Sequence, residues 1–157
     1  MKLFSSRPTP HSTMLDLEQF LPYRLSVLSN RISNGIARTY EERFGLSVTE
    51  WRVIAIVGRY PGVTATEVAE RAAMDKVAVS RAVSRLLDSG LLERHDNHAD
   101  RRAKRLYLSG EGEAIHDAIV PAALAYERDL LEALEPEERR RFLESLERLA
   151  EAAERHA

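Results

Sequence analysis

Apolar residues recur every three or four positions between residues 15 and 44, which is the spacing of a long amphipathic helix. The repeat is carried by Leu17, Leu21, Leu25, Leu28, Ile32, Ile36 and Tyr40. Gly45 follows the last turn of this pattern, and glycine is the residue that most often ends a helix in the left-handed conformation. We therefore predict a first helix from Leu15 to Phe44.

Two further helices carry the same start signal. Ser47-Val48-Thr49-Glu50 and Thr64-Ala65-Thr66-Glu67 both have the spacing of a capping box, in which the first side chain caps the helix and the glutamate bonds back to the first amide. The second of these helices is short and ends near Ala72. Asp75 is placed to cap a fourth helix, which Gly90 stops. Two capped helices joined by the tight turn at residues 72–75 indicate a helix-turn-helix.

The rest of the chain predicts a hairpin and two more helices. Residues 91–96 and 103–108 alternate partly between apolar and polar side chains on either side of a polar loop. Ser109 is placed to cap a fifth helix, which we expect Pro121 to kink or interrupt, and Pro136 to open a sixth. The predicted fold class is mainly α: a winged helix-turn-helix with a two-stranded β wing, flanked by N- and C-terminal helices.

Length and composition narrow the class of protein. A chain of 157 residues suits one compact domain and is too short for a catalytic domain beside a separate DNA-binding domain. No apolar run is long enough to span a bilayer, and residues 1–13, which we interpret as a flexible arm, lack the apolar stretch of a secretory signal. We therefore expect a cytoplasmic protein without membrane association. The absence of cysteine excludes disulfides and a thiol-based switch.

Charge is distributed unevenly along the chain. The formal net charge is −2, but residues 71–105 carry nine basic side chains against five acidic ones, a local net charge of +4. Residues 111–157 carry thirteen acidic side chains against six arginines, a local net charge of −7. A basic centre with an acidic C-terminal part favours a polyanionic partner for the middle of the chain, and double-stranded DNA is the partner we predict.

The fourth predicted helix divides into an apolar and a polar face. At 100° per residue, Val79, Val83, Leu86 and Leu87 fall on one side, as expected for a core. The predicted DNA-facing set is Lys76, Val77, Ser80, Arg81, Ser84 and Arg85. Arginine pairs bidentately with guanine O6 and N7, and Lys76 and Ser80 are suited to phosphates. The alternative is that Arg81 and Arg85 are ordinary solvated surface charges.

The predicted hairpin tip concentrates charge in Asp100-Arg101-Arg102, with Lys104 on the returning strand. An arginine on a narrow loop enters the minor groove readily, and a neighbouring aspartate orients it through a charge-assisted hydrogen bond. Lys104 and Arg105 are placed to reach adjacent phosphates. The alternative is an ordinary charged turn.

Several segments in fixed order resemble the MarR family of bacterial regulators over residues 15–155. They are Leu46-Ser47 through Trp51, the run Val79-Ser80-Arg81-Ala82-Val83-Ser84-Arg85-Leu86, Gly90-Leu91-Leu92-Glu93-Arg94, and Asp100-Arg101-Arg102 followed by Leu106-Tyr107-Leu108-Ser109. By this resemblance Ser80, Arg81 and Arg85 match the family's recognition-helix contacts. Asp100 with Arg102 matches its wing-tip Asp-x-Arg pattern.

The resemblance also implies an obligate homodimer on a pseudo-palindromic operator. It gives a single MarR-type domain over residues 14–157, with the winged helix-turn-helix at 46–108 and dimerisation helices at 14–45 and 109–157. Regulators of this kind often bind a small phenolic or anionic effector. The residues we assign to such a site are Tyr23, Leu28, Arg31, Ile32, Trp51 and Ile54.

Other chemistry has little support in the sequence. His95, His98 and His116 lack a compact set of carboxylates, so no metal site is predicted. No phosphate-binding glycine loop, nucleophile elbow or HExxH motif is present, so we expect neither a cofactor nor an enzyme. The predicted function is a sequence-specific transcriptional regulator, a repressor released by a small effector. The alternative is a winged-helix dimerisation or protein-interaction module without specific DNA binding.

Overall fold

The computed structural model describes residues 14–96, residue 99 and residues 104–157. The elements follow the predicted order, and the predicted fold class is confirmed: mainly helical, with a two-stranded antiparallel sheet. The helices are α1 Leu21–Phe44, α2 Val48–Arg59, α3 Ala65–Ala72, α4 Lys76–Asp88, α5 Gly110–Leu131 and α6 Pro136–Arg155, and the strands are β1 Leu92–Asp96 and β2 Lys104–Leu108. The predicted arm at residues 1–13 lies outside the described residues.

The first helix begins six residues later than predicted. Leu15–Phe20 lies outside α1, and the amide of Gln19 instead closes a turn by donating to the carbonyl of Asp16 at 3.1 Å. Pro22 stands in the first turn of α1. Proline is favoured there because its fixed φ suits a helix start and its missing amide has no intrahelical partner to lose. The apolar repeat continues upstream of this proline, which is why periodicity alone placed the start too early.

Both predicted capping boxes are present. The amide of Glu50 donates to Ser47 Oγ at 3.1 Å, and the amide of Ser47 donates to Glu50 Oε1 at 3.4 Å. In α3 the amide of Glu67 donates to Thr64 Oγ1 at 3.2 Å, and the amide of Thr64 donates to Glu67 Oε2 at 2.9 Å. Each box satisfies amides that would otherwise lack an intrahelical acceptor, so it fixes where its helix starts.

The hairpin is tied to the loop that precedes α3. Its register pairs Leu92 with Leu108 and Asp96 with Lys104. Within β2, the amide of Leu106 donates to the carbonyl of Val63, and the carbonyl of Leu106 accepts from the amide of Gly62, both at 2.8 Å. These bonds add a third short backbone segment to the hairpin. The strands are therefore anchored to the helix-turn-helix at their base.

The core of the winged helix-turn-helix is built from one or two turns of each element. Its fully buried large side chains are Tyr40, Val53, Ile54, Val57, Val68, Val79, Val83, Leu86, Leu106 and Ile119. They come from α1, α2, α3, α4, β2 and α5, so each helix turns an apolar stripe inward. The described part of the chain contains no buried polar or charged residue.

The fifth helix is continuous from Gly110 to Leu131, so the prediction that Pro121 interrupts it is wrong. Ser109 caps this helix as predicted, because its Oγ accepts from the amide of Gly112 at 3.0 Å. Pro121 removes one intrahelical amide hydrogen bond, and α5 continues on both sides of it. None of the described helices is both long enough and apolar enough to cross a membrane.

The chain divides into two compact units, one extending to Ile119 and the other Val120–Ala157. In the second unit α6 opens on Pro136 as predicted, and Arg140 pairs with Glu137 and Glu144, both at 2.6 Å. No residue of α6 is buried, although Phe142, Leu143, Leu146 and Leu149 line one of its sides. The assignment of residues 14–157 to a single domain stays a prediction.

Candidate nucleic-acid interface

The turn between α3 and α4 is tight and has a left-handed residue at its centre. Ala73 takes φ 49°, and the amide of Met74 donates to the carbonyl of Ala69 at 3.0 Å, which closes α3. Asp75 then caps α4 as predicted, its Oδ2 accepting from the amide of Ala78 at 2.9 Å. Three residues thus connect the two helices, which is the turn length of a helix-turn-helix.

The two faces of α4 differ sharply in burial. Its inward face consists of Val79, Ala82, Val83 and Leu86, all buried. Its outward face carries every residue that the sequence assigned to DNA on this helix: Lys76, Val77, Ser80, Arg81, Ser84 and Arg85, all exposed. Val77, Arg81 and Arg85 follow each other at four-residue spacing and therefore lie along one line of the helix surface. The structure brings these six residues together on one convex ridge.

Arg85 has a partner on another helix. Its Nε lies 3.6 Å from Oε1 of Glu50, the residue that closes the capping box of α2. The side chain of Arg85 is 55% exposed, whereas that of Glu50 is only 15% exposed. From the sequence, Glu50 was assigned only a capping role. The spacing of neighbouring residues does not predict a contact between positions that are 35 residues apart.

Two basic residues at the start of β2, Lys104 and Arg105, differ in exposure. Lys104 forms an ion pair with Asp96 directly across the hairpin and is exposed. Arg105 donates from Nη1 to the carbonyl of Gly62 at 2.8 Å and is half-buried, so it fastens the hairpin base, and its phosphate contact stays a prediction. Asp100, Arg101 and Arg102, the predicted wing tip, lie outside the described residues.

The residues assigned to an effector do not all meet in one place. Trp51 lines a cavity of about 100 Å³ between α1 and α2, together with Ser33, Ile36, Tyr40, Val48 and Arg52. Ile54 is fully buried in the core, and Ile32 is half-buried. Tyr23, Leu28 and Arg31 are exposed on α1. Only Trp51 of the six predicted residues therefore lines this cavity.

The charged group of this small cavity is Arg52, which was not among the predicted effector residues. Its Nη2 donates to Ser33 Oγ at 2.8 Å, which aims the guanidinium along the cavity wall. The rings of Tyr40 and Trp51 lie 5.8 Å apart beside it. Burial raises the pKa of Tyr40 to about 12; nearby Glu41 adds to the increase, and Arg52 opposes it. A second cavity, of about 250 Å³, lies between the end of α2, β2 and the start of α5.

The histidines stand apart from one another. His95 meets Tyr107 edge to face at 5.1 Å, and His116 lies 3.1 Å from Asp117 Oδ1 and 6.0 Å from the ring of Trp51. His98 lies outside the described residues. Over residues 14–96, 99 and 104–157, no three side chains of the metal-binding types come close enough together to hold an ion.

Comparison with known proteins gives a consistent result. A family model described as the MarR family matches residues 44–103. The transcriptional regulator HosA of Escherichia coli O111:H- is 26% identical over 116 residues, which is 74% of this chain and 86% of HosA. The match to the family model spans α2, α3, α4 and β1 and therefore includes the exposed ridge of α4.

Solved structures share the fold over most of the chain. A MarR-family transcriptional regulator from Silicibacter pomeroyi is 28% identical with a TM-score of 0.71, covering 85% of this chain and 89% of its own. FabT of Streptococcus pneumoniae, solved in complex with DNA, is 23% identical with a TM-score of 0.72, covering 90% and 100%. Regulators of this family are not enzymes. Residues 44–103 of this chain thus match the MarR family of transcriptional regulators, and the chain shares the winged helix-turn-helix fold of the solved members.

Proposed function

We propose that this protein is a homodimeric repressor that reads a pseudo-palindromic operator with α4 and releases it when a small aromatic or anionic effector binds. One observation carries the proposal: the six exposed residues of α4 form a ridge that is basic, studded with small side chains and backed by a fully buried apolar face. A rigid helix with this surface fits the B-DNA major groove.

The chemistry of the ridge favours direct reading of bases. Arg81 and Arg85 project one helical turn apart, about 6 Å along the axis, and each presents a fork that matches guanine O6 and N7. Ser80 and Ser84 lie beside the two arginines on the exposed face and are small enough to let the helix sit deep in the groove. Val77 is 56% exposed, which is unusual for a valine and suits contact with a thymine methyl group.

The wing completes the proposed interface. We assign Asp100, Arg101 and Arg102 to the minor groove beside the operator and Lys104 to a phosphate. Lys104 is held by Asp96 across the hairpin, so its ammonium group is pre-positioned near the wing. The hairpin base is bonded to Gly62 and Val63, which fixes the direction in which the wing leaves the domain.

Exposed apolar residues on the flanking helices support the homodimer. On the N-terminal side they are Leu17, Leu21, Leu25 and Leu28, and on α6 they are Phe142, Leu143, Leu146 and Leu149. Contiguous apolar stripes of this kind mark protein–protein surfaces in soluble proteins. A two-fold dimer would present two copies of α4 to successive major grooves, which explains a pseudo-palindromic site.

The cavity beside Trp51 supports an anionic aromatic effector. Its walls combine two aromatic rings with the guanidinium of Arg52, the combination that binds a ring carrying a carboxylate or phenolate. The cavity touches both α1 and α2. A ligand there is placed to move α2 against α1 and so alter the spacing of the two recognition helices. Repression follows from the dimer covering the DNA that it binds.

The test is selection of binding sites by the full-length protein from random duplex DNA, followed by competition at physiological salt. We expect an enriched pseudo-palindrome whose affinity exceeds that of random duplex by about a thousandfold or more. Equal affinities for the enriched and random duplexes would exclude sequence-specific regulation. Enrichment of a single half-site without symmetry would exclude the two-fold dimer on DNA.

A further inference from the structure

We propose that Glu50 is the residue that orients Arg85 for base reading, so that the start of α2 sets the specificity of the recognition helix. The inference rests on the proposed function, since it concerns how Arg85 meets DNA. It assigns to Glu50 a task beyond helix capping. The observation behind it is that a single carboxylate oxygen, Glu50 Oε1, faces both the amide of Ser47 and Nε of Arg85.

Glu50 is held in place before it meets Arg85. Its own amide donates to Ser47 Oγ and its carboxylate accepts from the amide of Ser47, so the backbone and side chain are both tied at the first turn of α2. The side chain is 15% exposed, which removes most of the solvent that would weaken a charge pair. A fixed and poorly hydrated carboxylate restricts the side-chain conformations of a neighbouring arginine more than a mobile surface carboxylate does.

Glu50 contacts only one of the three nitrogens of the Arg85 guanidinium. The contact with Glu50 is made by Nε, at 3.6 Å, which is an ion pair and not a short hydrogen bond. Among the contacts of the described residues, none engages Nη1 or Nη2 of Arg85. These two nitrogens form the end of the fork that pairs with guanine O6 and N7. Glu50 thus limits the rotamers of Arg85 to those that point the fork end away from α2.

A carboxylate close to DNA repels phosphates, so Glu50 lowers the affinity for any duplex. By orienting Arg85, it raises the ratio of affinities for operator and random duplex. Its negative charge weakens binding to every duplex alike, whereas its hold on Arg85 matters only where a guanine is read. We therefore expect the effect of Glu50 in the ratio of affinities for operator and random duplex. A change in affinity that is the same for both duplexes would be ordinary electrostatics.

The chain offers a matched control in its second capping box. Glu67 stands at the same position of α3 as Glu50 in α2 and bonds in the same way to Thr64. Over the described part of the chain Glu67 makes no ion pair. Glutamine is accepted in a capping box, so Glu50→Gln and Glu67→Gln both keep the cap and both change the net charge by the same amount. Only Glu50→Gln removes the charged partner of Arg85.

The experiment measures dissociation constants of wild type, Glu50→Gln and Glu67→Gln for the selected operator and for random duplex at one salt concentration. Glu50→Gln is expected to lower the operator-to-random affinity ratio by roughly three- to fivefold, as for loss of a partly shielded ion pair, and Glu67→Gln by less than about twofold. In an Arg85→Ala background, Glu50→Gln should have no further effect on the ratio. Thermal melts of both variants establish that the fold is intact.

Three results would overturn the proposal. They are equal ratios for the two glutamine variants, an undiminished effect of Glu50→Gln when Arg85 is alanine, and a rise in the ratio, which would mean that Glu50 holds Arg85 away from DNA. Failure of the proposed function has a different signature, because wild type itself would then fail to distinguish operator from random duplex.

Discussion

The winged helix-turn-helix and the flanking helices treat their apolar side chains in opposite ways. In α4, Leu86 is 0% exposed, and Val79, Ala82 and Val83 are buried with it. In α6, Leu146 is 43% exposed, and no residue of that helix is buried. Both helices are amphipathic by sequence. The difference teaches that periodicity reports which face of a helix is apolar, while only the fold shows whether the same chain covers that face.

The border between the two kinds of region runs through α1. Its C-terminal turns bury Ala37 and Tyr40 against the winged helix-turn-helix, and its first turns leave Leu21, Leu25 and Leu28 exposed. One helix is thus buried in the core at one end and exposes its apolar side chains at the other. We therefore expect substitutions of buried residues to change the free energy of unfolding, and substitutions of the exposed apolar residues to change the proposed dimer.

The largest effect is expected from Leu86→Ala. Removing a fully buried leucine leaves a cavity in the densest part of the core, so we expect the free energy of unfolding to fall by about 2–5 kcal/mol. Urea denaturation at fixed protein concentration measures it. Val77→Ala on the exposed face of the same helix is the control and should change stability by less than about 0.5 kcal/mol. Equal losses for the two variants would contradict the division of α4 into buried and exposed faces.

A smaller effect on the free energy, but a decisive one for assembly, is expected from Leu146→Glu. A charge placed in the apolar stripe of α6 should weaken the dimer by about 2 kcal/mol or more, without changing the operator contacts of each protomer. Sedimentation or light scattering over a range of concentrations detects the monomer. Arg148→Glu lies about 200° around the same helix and should leave the dimer intact. A dimer unaffected by Leu146→Glu would remove α6 from the interface.

Arg81→Ala is expected to cost about 1–3 kcal/mol of operator binding and to relax the preference at one base pair of each half-site. The reason is that Arg81 lies exposed at the centre of the ridge, while the fold of α4 depends on the opposite face. Competition binding and repeat site selection with the variant measure both quantities. Uniform weakening on operator and random duplex would show that Arg81 contacts only phosphate. In either case the dimer should be unchanged.

Local signals in the sequence predicted the elements well. Each helix-start signal acts within one helical turn, so four neighbouring residues contain the whole interaction. These signals are the capping boxes at Ser47 and Thr64, the cap at Asp75 and the proline at residue 136. The same holds for the faces of α4, because burial there follows from helical periodicity. The early start given to α1 shows the converse, since the apolar repeat outweighed Pro22.

Interactions between distant segments were out of reach of the sequence. Glu50 meets Arg85 and Arg52 meets Ser33 only because α2 packs between α1 and α4, and Arg105 meets Gly62 only because the hairpin folds back on the preceding loop. Ala82 was likewise missed as a core residue, because alanine is common on both faces of helices. Local spacing therefore predicted the exposed face of α4, whereas the contacts between distant segments follow from tertiary packing.

The smallest effect we predict lies at the border within α1 and appears only at alkaline pH. Tyr40 has a pKa of about 12 in the folded chain, above its ordinary value of 10.0, chiefly because burial disfavours the phenolate. The folded state therefore binds the proton more tightly than the unfolded state, so the stability that Tyr40 contributes is complete below pH 10 and declines as the pH rises toward 12. Tyr40→Phe removes the titrating group, and urea midpoints of the two proteins from pH 8 to 11 should diverge in slope above pH 10. Parallel slopes would contradict the raised pKa of Tyr40.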